Sequence, residues 1–166
     1  RRMGLEYRLN QLVAGLAPLA DVVKEAKGAM ERERLVNALT VGETHFFRNA
    51  GHFDALTSQI LPQVIERRRS LRTLRIWSAG CASGEEPYSI AMALAERLPG
   101  DWTVKILATD LDTQVLRAAA DGVYTMDRVA VLPRQRLQRW FRKGTGRNAD
   151  KVKVKEELQR MIHFKQ

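Results

Sequence analysis

The pattern of apolar and polar positions predicts a strand, a helix and a second strand in the middle of the chain. Residues 74–77 and 104–108 are short apolar runs rich in β-forming side chains. Between them, residues 88–98 carry apolar side chains at helical spacing until a Pro-Gly pair ends the pattern. Two strands joined by a crossover helix form a βαβ unit, so the sequence predicts an α/β fold with a parallel sheet.

Helical periodicity dominates the first part of the chain. Apolar residues recur at that spacing over residues 5–16 and 22–39, and a third such stretch, residues 53–65, leads to the first strand. We therefore expect a helical N-terminal region over residues 1–39 and a second domain over residues 40–166. The chain starts inside a helical pattern without a capping residue, as a piece of a longer protein would.

The last part of the chain shows the alternation typical of strands. Val152 and Val154 alternate with lysines, and residues 161–164 are a further strand candidate. We expect these two strands to pair across residues 156–160 as a small antiparallel sheet with one apolar and one cationic face. That sheet would occupy about residues 143–166.

Composition places the chain among soluble globular proteins. Its hydrophobic share of 45% is ordinary for that class, and no apolar run reaches membrane-spanning length or forms a signal peptide. The one cysteine, Cys81, has no partner for an internal disulfide, and its place among small residues favours a packing role over a chemical one. We therefore expect a soluble protein in the cytoplasm.

Positive charge is concentrated at the end of the chain. Residues 134–166 contain 11 Lys/Arg and 3 acids, which leaves only +1 of the net charge of +9 for residues 1–133. Such a surface could bind nucleic acid, dock an acidic protein or serve only as a solvated face. Aromatic side chains that would stack on bases are few here, which favours the second and third explanations.

A loop of small side chains follows the first strand of the βαβ unit. Residues 78–84 read SAGCASG; Glu85 and Glu86 then start the predicted helix, and Asp110 follows the second strand. Small residues let a ligand approach the backbone, and an acid after the second strand can bind ribose hydroxyls. The loop lacks the glycine spacing of a dinucleotide site and the Gly-Lys-Ser/Thr of a P-loop, and two acids would repel a phosphate.

The two acids at the helix start leave two explanations open. They suit a ligand with a nucleoside at one end and positive charge at the other, and S-adenosylmethionine (SAM), with its sulfonium and α-ammonium groups, is such a ligand. Alternatively, Glu85 and Glu86 only complement the helix dipole. Position alone does not separate these explanations.

A second stretch of interest, residues 40–48, reads TVGETHFFR. Its adjacent phenylalanines, Phe46 and Phe47, are most simply explained as core residues. Arg48, taken by itself, is expected on the surface, because most arginines are exposed.

Three separated motifs together resemble one family. Thr44-x-Phe46-Phe47-Arg48, then WSAGCASGEEPYSIAMAL at residues 77–94, then ATDLDT at residues 108–113 are similar to the chemotaxis-receptor glutamate methyltransferases, the CheR family. The motifs stand in the family's order and at compatible spacing. The resemblance covers nearly all of the chain after its first helices.

The resemblance implies a fold and a set of site residues. The fold is a Rossmann-like SAM-dependent methyltransferase fold, incomplete at both ends, preceded by a helical segment and carrying a small antiparallel β insertion. SAM would be bound through Thr44, Arg48, Ala79, Glu85 and Asp110. Among these, Asp110 would lie on the ribose hydroxyls, Glu85 near the methionine end and Arg48, as the catalytic residue, near the transferable methyl group.

The resemblance also implies an activity. Family members transfer a methyl group from SAM to glutamate side chains, which yields a glutamyl methyl ester and S-adenosylhomocysteine. A carboxylate is already a nucleophile at neutral pH, so the reaction needs positioning rather than a general base. His45, His52 and His163 lack a ligand cluster in the sequence and are interpreted as structural, with no metal site.

The expected partners follow from this activity. They are the helical cytoplasmic region of chemotaxis receptors and an acidic receptor-tail peptide on the small sheet. We expect a monomer that neither binds nucleic acid nor inserts into a membrane. Two alternatives remain open at this point: a non-catalytic SAM-sensing or receptor-docking module, and a nucleic-acid-binding domain that rests on the basic end of the chain.

Overall fold

The structure is a computed structural model that describes Gly28, Met30, Asn37 and residues 43–166. The chain divides into two compact units, Arg1–Thr40 and Val41–Gln166, of which the second is described below. The helices expected over residues 1–39 lie outside the described residues, apart from the isolated positions just named. In the described part of the chain, no helix is long and apolar enough to cross a membrane.

The first half of the second unit contains helices and two strands. A helix α1 continues through a π-helical turn into α2, and β1, α3, β2 and α4 follow. Their bounds are Ala50–Ala55 for α1, Leu56–Ile60 for the π-helical turn, Leu61–Arg67 for α2, Thr73–Ala79 for β1, Glu85–Ala95 for α3, Thr103–Thr109 for β2 and Thr113–Asp121 for α4.

The second half contains four strands and two short helices. They are β3 at Val123–Thr125, α5 at Arg134–Trp140, β4 at Phe141–Lys143, β5 at Lys151–Val154, α6 at Glu156–Gln159 and β6 at Ile162–Lys165. A 3₁₀ turn, Gly146–Asn148, lies between β4 and β5.

A parallel sheet is the base of the fold. Its strands lie in the order β1-β2-β6, and Ile76 of β1 stands opposite Ile106 of β2, which in turn stands opposite Ile162 of β6. The helix α3 crosses between β1 and β2 and buries Met92 in the same hydrophobic core as Ile106. The predicted α/β fold with a parallel sheet is therefore confirmed.

A second, antiparallel sheet has the strand order β3-β5-β4. Its central strand β5 buries Val152 and Val154, as their alternation with lysines predicts. The inner face of this sheet belongs to the same hydrophobic core as α3. The two sheets therefore share a core although no strand joins them.

The predicted pairing of residues 161–164 with residues 152–154 is wrong. Both segments are strands, but β6 pairs in parallel with β2, and the partners of β5 are β3 and β4. Alternation identifies a strand without identifying its sheet. Ile162 and Phe164 pack against the cluster of Cys81, Ala108 and Leu116 and also against the larger core that contains Val152 and Val154, so their apolar character alone does not select the partner strand. The small sheet consequently draws its strands from residues 123–154 rather than 143–166.

The helical spacing of apolar residues near α5 extends one residue beyond the helix itself. Leu132, Leu137, Trp140 and Phe141 stand at spacing that would suit one short helix, but α5 ends at Trp140 and Phe141 is the first residue of β4. The Phe141 side chain is still buried, against Phe46, with ring centroids 5.7 Å apart. The side chain of Phe141 is therefore buried, as its apolar character predicts, although its backbone is extended rather than helical.

One ion-pair cluster fastens α5 to the end of α3. Arg136 donates to both carboxylate oxygens of Glu96, from Nε at 3.0 and 3.2 Å and from Nη2 at 2.8 Å, and Trp140 Nε1 donates to Oε1 of the same carboxylate at 3.0 Å. Burial raises the pKa of Glu96, but the hydrogen bonds from Arg136 and Trp140 outweigh burial, so the pKa lies below its ordinary value. The Arg136 guanidinium also lies 4.2 Å from the ring centre of Phe47.

We expect the Glu96 cluster to make stability depend on pH. A carboxyl whose pKa is lower in the folded protein stabilises the fold above its unfolded pKa and loses this contribution as the pH falls through its folded pKa. Glu96→Gln should therefore lower the free energy of unfolding by about 1–2 kcal/mol at pH 7. At pH 3 the difference from the unmodified protein should shrink. Urea unfolding followed by circular dichroism at both pH values measures it.

The matched control is Glu66→Gln, which removes the same charge from an exposed position of α2. It should change the unfolding free energy by less than about 0.5 kcal/mol at either pH. A Glu96→Gln effect that is equally large at pH 3 and pH 7 would show that the carboxylate charge is not what stabilises this cluster.

Candidate functional site

The site is built where β1 and β2 end side by side. Ala79, the last residue of β1, stands opposite Thr109, the last residue of β2. The loop after β1 folds back onto β2, because the Cys81 N–H donates to the Thr109 carbonyl at 2.9 Å. Carboxyl ends of parallel strands lie at the same edge of a sheet, so residues that follow the two strands come together here.

The small side chains of this loop allow an unusual backbone conformation. Gly80, Ala82 and Gly84 have φ angles of 68°, 45° and 93°, in the left-handed region that favours glycine. At Gly84 there is also no room for a side chain, since a β-carbon would lie 2.9 Å from Cβ of Ala119 and 3.0 Å from Oη of Tyr124. The loop is therefore packed closely against α4 and β3.

Tyr124 holds the loop from the side of β3. Its hydroxyl donates to the Ser83 carbonyl at 2.7 Å. Burial, followed by the negative charge of Glu85, raises the pKa of Tyr124 above its ordinary value, so the hydroxyl stays protonated and remains a donor. This hydrogen bond fixes the backbone at Ser83 directly before α3 begins.

Asp110 is fixed by backbone donors at the end of β2. Its Oδ2 accepts from the Ala82 N–H at 2.8 Å, and its Oδ1 accepts from the Asp112 N–H at 3.0 Å. Each carboxylate oxygen can accept more than one hydrogen bond, so both oxygens retain acceptor capacity. Asp110 is thus a partly exposed carboxylate of fixed orientation, suited to a ligand with neighbouring hydroxyls.

The two glutamates at the start of α3 have different environments. Glu85 is completely buried; its Oε2 accepts from the Ser83 hydroxyl at 2.7 Å, and its Oε1 forms an ion pair with Arg128. Glu86 is exposed and accepts from the Ser78 hydroxyl at 2.6 Å. Glu86 is therefore a solvated acid that complements the helix dipole, whereas a buried acid such as Glu85 requires specific partners.

The segment with Thr44 and Arg48 is attached to α3. Phe46 is buried, as predicted, and its ring contacts that of Tyr124 with centroids 5.0 Å apart. The Phe47 N–H donates to Ser89 Oγ at 2.9 Å, and the Ser89 hydroxyl donates to the Glu85 carbonyl at 2.6 Å. Phe47 has a φ of 54°, which is rare for a bulky residue and indicates a backbone held by its surroundings.

The predicted site residues therefore form two groups. Ala79, Glu85 and Asp110 surround the loop at residues 80–84. Thr44 and Arg48 lie on the segment that joins α3 through Phe47 and Ser89. Arg48 is exposed and donates from Nη1 to the Glu43 carbonyl at 2.9 Å. Within residues 43–166, no hydrogen bond joins the Thr44 or Arg48 side chain to the first group.

Sequence reasoning missed two residues that shape the site, Arg128 and Ser89. It identified Ser83 only as a small residue of the loop and Tyr124 only as part of a Gly-x-Tyr pattern that resembles the family, without the role of either. Arg128 lies between β3 and α5, in a stretch without periodicity, and is one of 28 basic residues. A buried acid needs a cationic partner, so a buried Glu85 would imply one somewhere in the chain. Only the fold shows that this partner is Arg128.

Cys81 has a packing role. Its side chain is buried among Ala108 and Leu116. Burial, and to a smaller extent the charge of Asp110, raises the pKa of the thiol to about 12. The thiol is therefore protonated at neutral pH and is not a nucleophile.

The chemistry of the donor set fits SAM. Asp110 offers oxygens for a ribose diol, the loop contributes only small side chains, and the exposed Glu86 places negative charge at the start of α3, beside the buried Glu85 that is paired with Arg128. Among the residues that the structure describes, no three His, Cys, Asp or Glu side chains lie close enough together to hold a metal ion.

Comparison with known proteins agrees with this chemistry. Residues 42–166 match the family described as CheR methyltransferase, SAM binding domain. The chain is 45% identical to "Chemotaxis protein methyltransferase 2" of Pseudomonas aeruginosa, over 82% of this chain and 48% of that protein. It is 36% identical to "Chemotaxis protein methyltransferase" of Borreliella burgdorferi, over 99% of this chain and 61% of that protein. The corresponding protein of Escherichia coli is 43% identical, over 81% of this chain and 45% of its own length.

The chain thus spans about half the length of the curated relatives it matches.

Proposed function

The chain belongs to the CheR methyltransferase family, and we propose that the protein transfers a methyl group from SAM to glutamate side chains of chemotaxis receptors. The observation that supports this proposal is that Asp110 and Glu85 both bond to the same loop of small residues, Asp110 to the Ala82 N–H and Glu85 to the Ser83 hydroxyl. The names of the relatives supply the substrate class. The activity belongs to the cytoplasm, where such receptor regions lie.

In this proposal, Asp110 accepts hydrogen bonds from the ribose hydroxyls. Its two oxygens are already oriented by the N–H groups of Ala82 and Asp112, so little side-chain freedom is lost on binding. Glu85 is the acid assigned to the α-ammonium group, which it can meet only when Arg128 or Ser83 gives up its bond to the buried carboxylate. Ala79 lines the loop beneath the ligand. Thr44 completes the set from the segment next to α3.

Bound SAM supplies a methyl group on a sulfonium, and displacement by a glutamate carboxylate gives the methyl ester and S-adenosylhomocysteine. The chain's own contribution is to orient the two partners, because the attacking carboxylate needs no base. We assign Arg48 to the acceptor side, where its planar guanidinium can hold a carboxylate through two parallel hydrogen bonds. Its exposure leaves it accessible to a receptor.

The small sheet supports a further part of the proposal, the docking of an acidic receptor tail. β5 is paired on both sides, so its lysines do not lie on an edge. In the described part of the chain, the outer side of β4 pairs with no strand, and its Arg142 is exposed directly opposite Lys153 of β5. Like charges in opposite positions repel, and an acidic peptide added to β4 would relieve this repulsion.

We expect Asp110→Asn to weaken the binding of S-adenosylhomocysteine about ten- to a hundredfold, because hydrogen bonds to a charged group contribute roughly 1.5–3 kcal/mol. Isothermal titration calorimetry on the complete protein measures the affinity, and a melting curve verifies that the loop anchored by Asp110 is still folded. Asp150→Asn, at an exposed position, is the control and should bind normally. Equal affinities for both variants would remove Asp110 from the ribose site.

We expect Arg48→Lys to lower the rate of methyl transfer by roughly ten- to a hundredfold, since a lysine keeps the charge but not the two-point geometry that positions the acceptor. The assay is transfer of a radiolabelled methyl group to the cytoplasmic region of a receptor. The binding of S-adenosylhomocysteine should change much less than the transfer rate. Arg67→Lys on α2 is the control, and an unaltered transfer rate in Arg48→Lys would contradict the assignment. Normal binding without any transfer by the unmodified protein would favour a non-catalytic SAM-sensing module.

We expect Arg142→Glu to reduce the binding of acidic receptor-tail peptides at least fivefold at low salt, because one of two adjacent cations on the β4 face becomes an anion. NMR titration with a labelled protein measures the affinity and should show amide shifts in β4. Arg117→Glu makes the same change of charge on α4 and serves as the control. Shifts that avoid residues 141–154 altogether would rule out docking on this sheet.

A further inference from the structure

Arg48 lies on a backbone that its own sequence does not favour. The residues on either side, Phe47 and Asn49, have φ angles of 54° and 60°, in the left-handed region. Neither is a glycine, and this conformation is rare for a bulky residue such as phenylalanine, so it persists only where contacts from elsewhere in the fold hold it. The contacts that hold Phe47 therefore also fix the place from which the Arg48 side chain extends.

Phe47 is held through its main chain and through its ring. Its N–H donates to Ser89 Oγ at 2.9 Å. Its ring contacts the ring of Phe53, with centroids 4.8 Å apart, and the Arg136 guanidinium lies over it, 4.2 Å from the ring centre. The Phe47 side chain is only partly buried, and a groove of about 200 Å³ runs beside it. Apolar packing alone does not enclose this ring, and the cation completes its surroundings.

Arg136 is itself fixed where it meets Phe47. Both carboxylate oxygens of Glu96 accept hydrogen bonds from its Nε and Nη2 atoms, and Trp140 Nε1 donates to the same carboxylate. This two-point pairing sets the plane of the guanidinium, which a lysine would not reproduce. A planar cation fixed over an aromatic face attracts the ring and keeps it in one position.

We propose that Arg136 is a positioning residue for methyl transfer, which fixes the backbone that carries Arg48 through the ring of Phe47. This inference rests on the proposed function, because Arg48 is assigned there to the acceptor carboxylate. Arg136 acts on the distance and angle at which the Arg48 guanidinium meets that carboxylate. An in-line displacement is sensitive to both.

The first test measures the rate of methyl transfer at saturating SAM and the affinity for S-adenosylhomocysteine, both on the complete protein. Arg136→Gln should lower the transfer rate about tenfold, since a small displacement of a positioning group costs that much or more, while the affinity changes less than about twofold. Arg136→Lys keeps a cation near the ring and should recover part of the rate.

Arg139→Gln is the matched control for these variants. It also removes a cation of α5 that lies over an aromatic ring, but the ring is that of Trp140, at 4.6 Å from the ring centre. This variant should transfer methyl groups at the normal rate. Melting curves of all variants show whether they are folded.

A double variant separates positioning from a general loss of structure. If Arg136 acts through Arg48, Arg136→Gln should alter the transfer rate less than about twofold in an Arg48→Ala background, because no guanidinium is left to be positioned. A general loss of structure would lower the rate by the same factor in both backgrounds.

Amide hydrogen exchange followed by NMR tests the contact without methyl transfer. The Phe47 N–H, which donates to Ser89 Oγ, should exchange about fivefold faster in Arg136→Gln, because loss of the ring contact releases the backbone. It should exchange at the normal rate in Arg139→Gln.

Three outcomes overturn the inference alone. A loss of transfer that is equal in both Arg48 backgrounds would mean that Arg136 does not act through Arg48. Parallel losses of transfer and of S-adenosylhomocysteine affinity would place its effect on the cofactor. Unchanged exchange of the Phe47 amide in Arg136→Gln would show that Arg136 does not hold this segment. An unmodified protein that transfers no methyl group although the exchange effect is present refutes the proposed function itself, and the inference with it.

Discussion

The burial of Glu85 is the constraint on which the site depends. A carboxylate that loses all contact with water costs several kcal/mol unless charge pairing and hydrogen bonds offset the loss. Ser83 and Arg128 provide these bonds, and each needs a fixed backbone to do so. Tyr124 fixes the first through its hydrogen bond to the Ser83 carbonyl, and the buried Val129 fixes the second. One buried acid thus determines how the β1 loop, the start of α3 and the segment after β3 are arranged.

The loop geometry and Asp110 depend on each other in a similar way. A left-handed conformation at a residue with a side chain, such as Ala82, costs roughly 1–2 kcal/mol. The same conformation directs the Ala82 N–H to the Asp110 carboxylate, and a hydrogen bond to a charged group is strong enough to offset that cost. Gly84 has no room for a side chain, because a β-carbon there would lie 2.9 Å from Cβ of Ala119 and 3.0 Å from Oη of Tyr124. The small residues of the loop are therefore needed for the hydrogen bond to Asp110, the acid that follows β2, as well as for the approach of a ligand.

The sequence was sufficient for the βαβ unit and for the strands around Val152–Val154 and Ile162–Phe164, because hydrophobic periodicity and the Pro-Gly and small-residue breaks are local signals. It did not predict the short strands β3 and β4. It was insufficient wherever two segments distant in the chain compete for the same partner. Ile162 and Phe164 form a strand on pattern alone, but their side chains pack against both hydrophobic clusters, so the pattern does not indicate whether they join β5 or β2. Arg128 could not be distinguished from other arginines, since its partner lies 43 residues earlier in the chain. The family resemblance named Glu85 and Asp110, yet it did not indicate that one is buried and the other held by main-chain donors.

The helix α3 connects the residues proposed to bind SAM with the segment that carries Arg48, the residue proposed to hold the acceptor. Its first residue is the buried Glu85, and Ser89, one turn later, accepts the Phe47 N–H directly before Arg48. Phe47 keeps its strained backbone because its ring is held on both sides, by Phe53 at 4.8 Å between ring centroids and by the Arg136 guanidinium. Arg136 is in turn fixed by Glu96 near the end of α3 and lies on α5, which leads directly into the small sheet. A rigid helix between cofactor and acceptor is what an in-line displacement needs, because the reaction depends on the distance between two partners rather than on an acid or base.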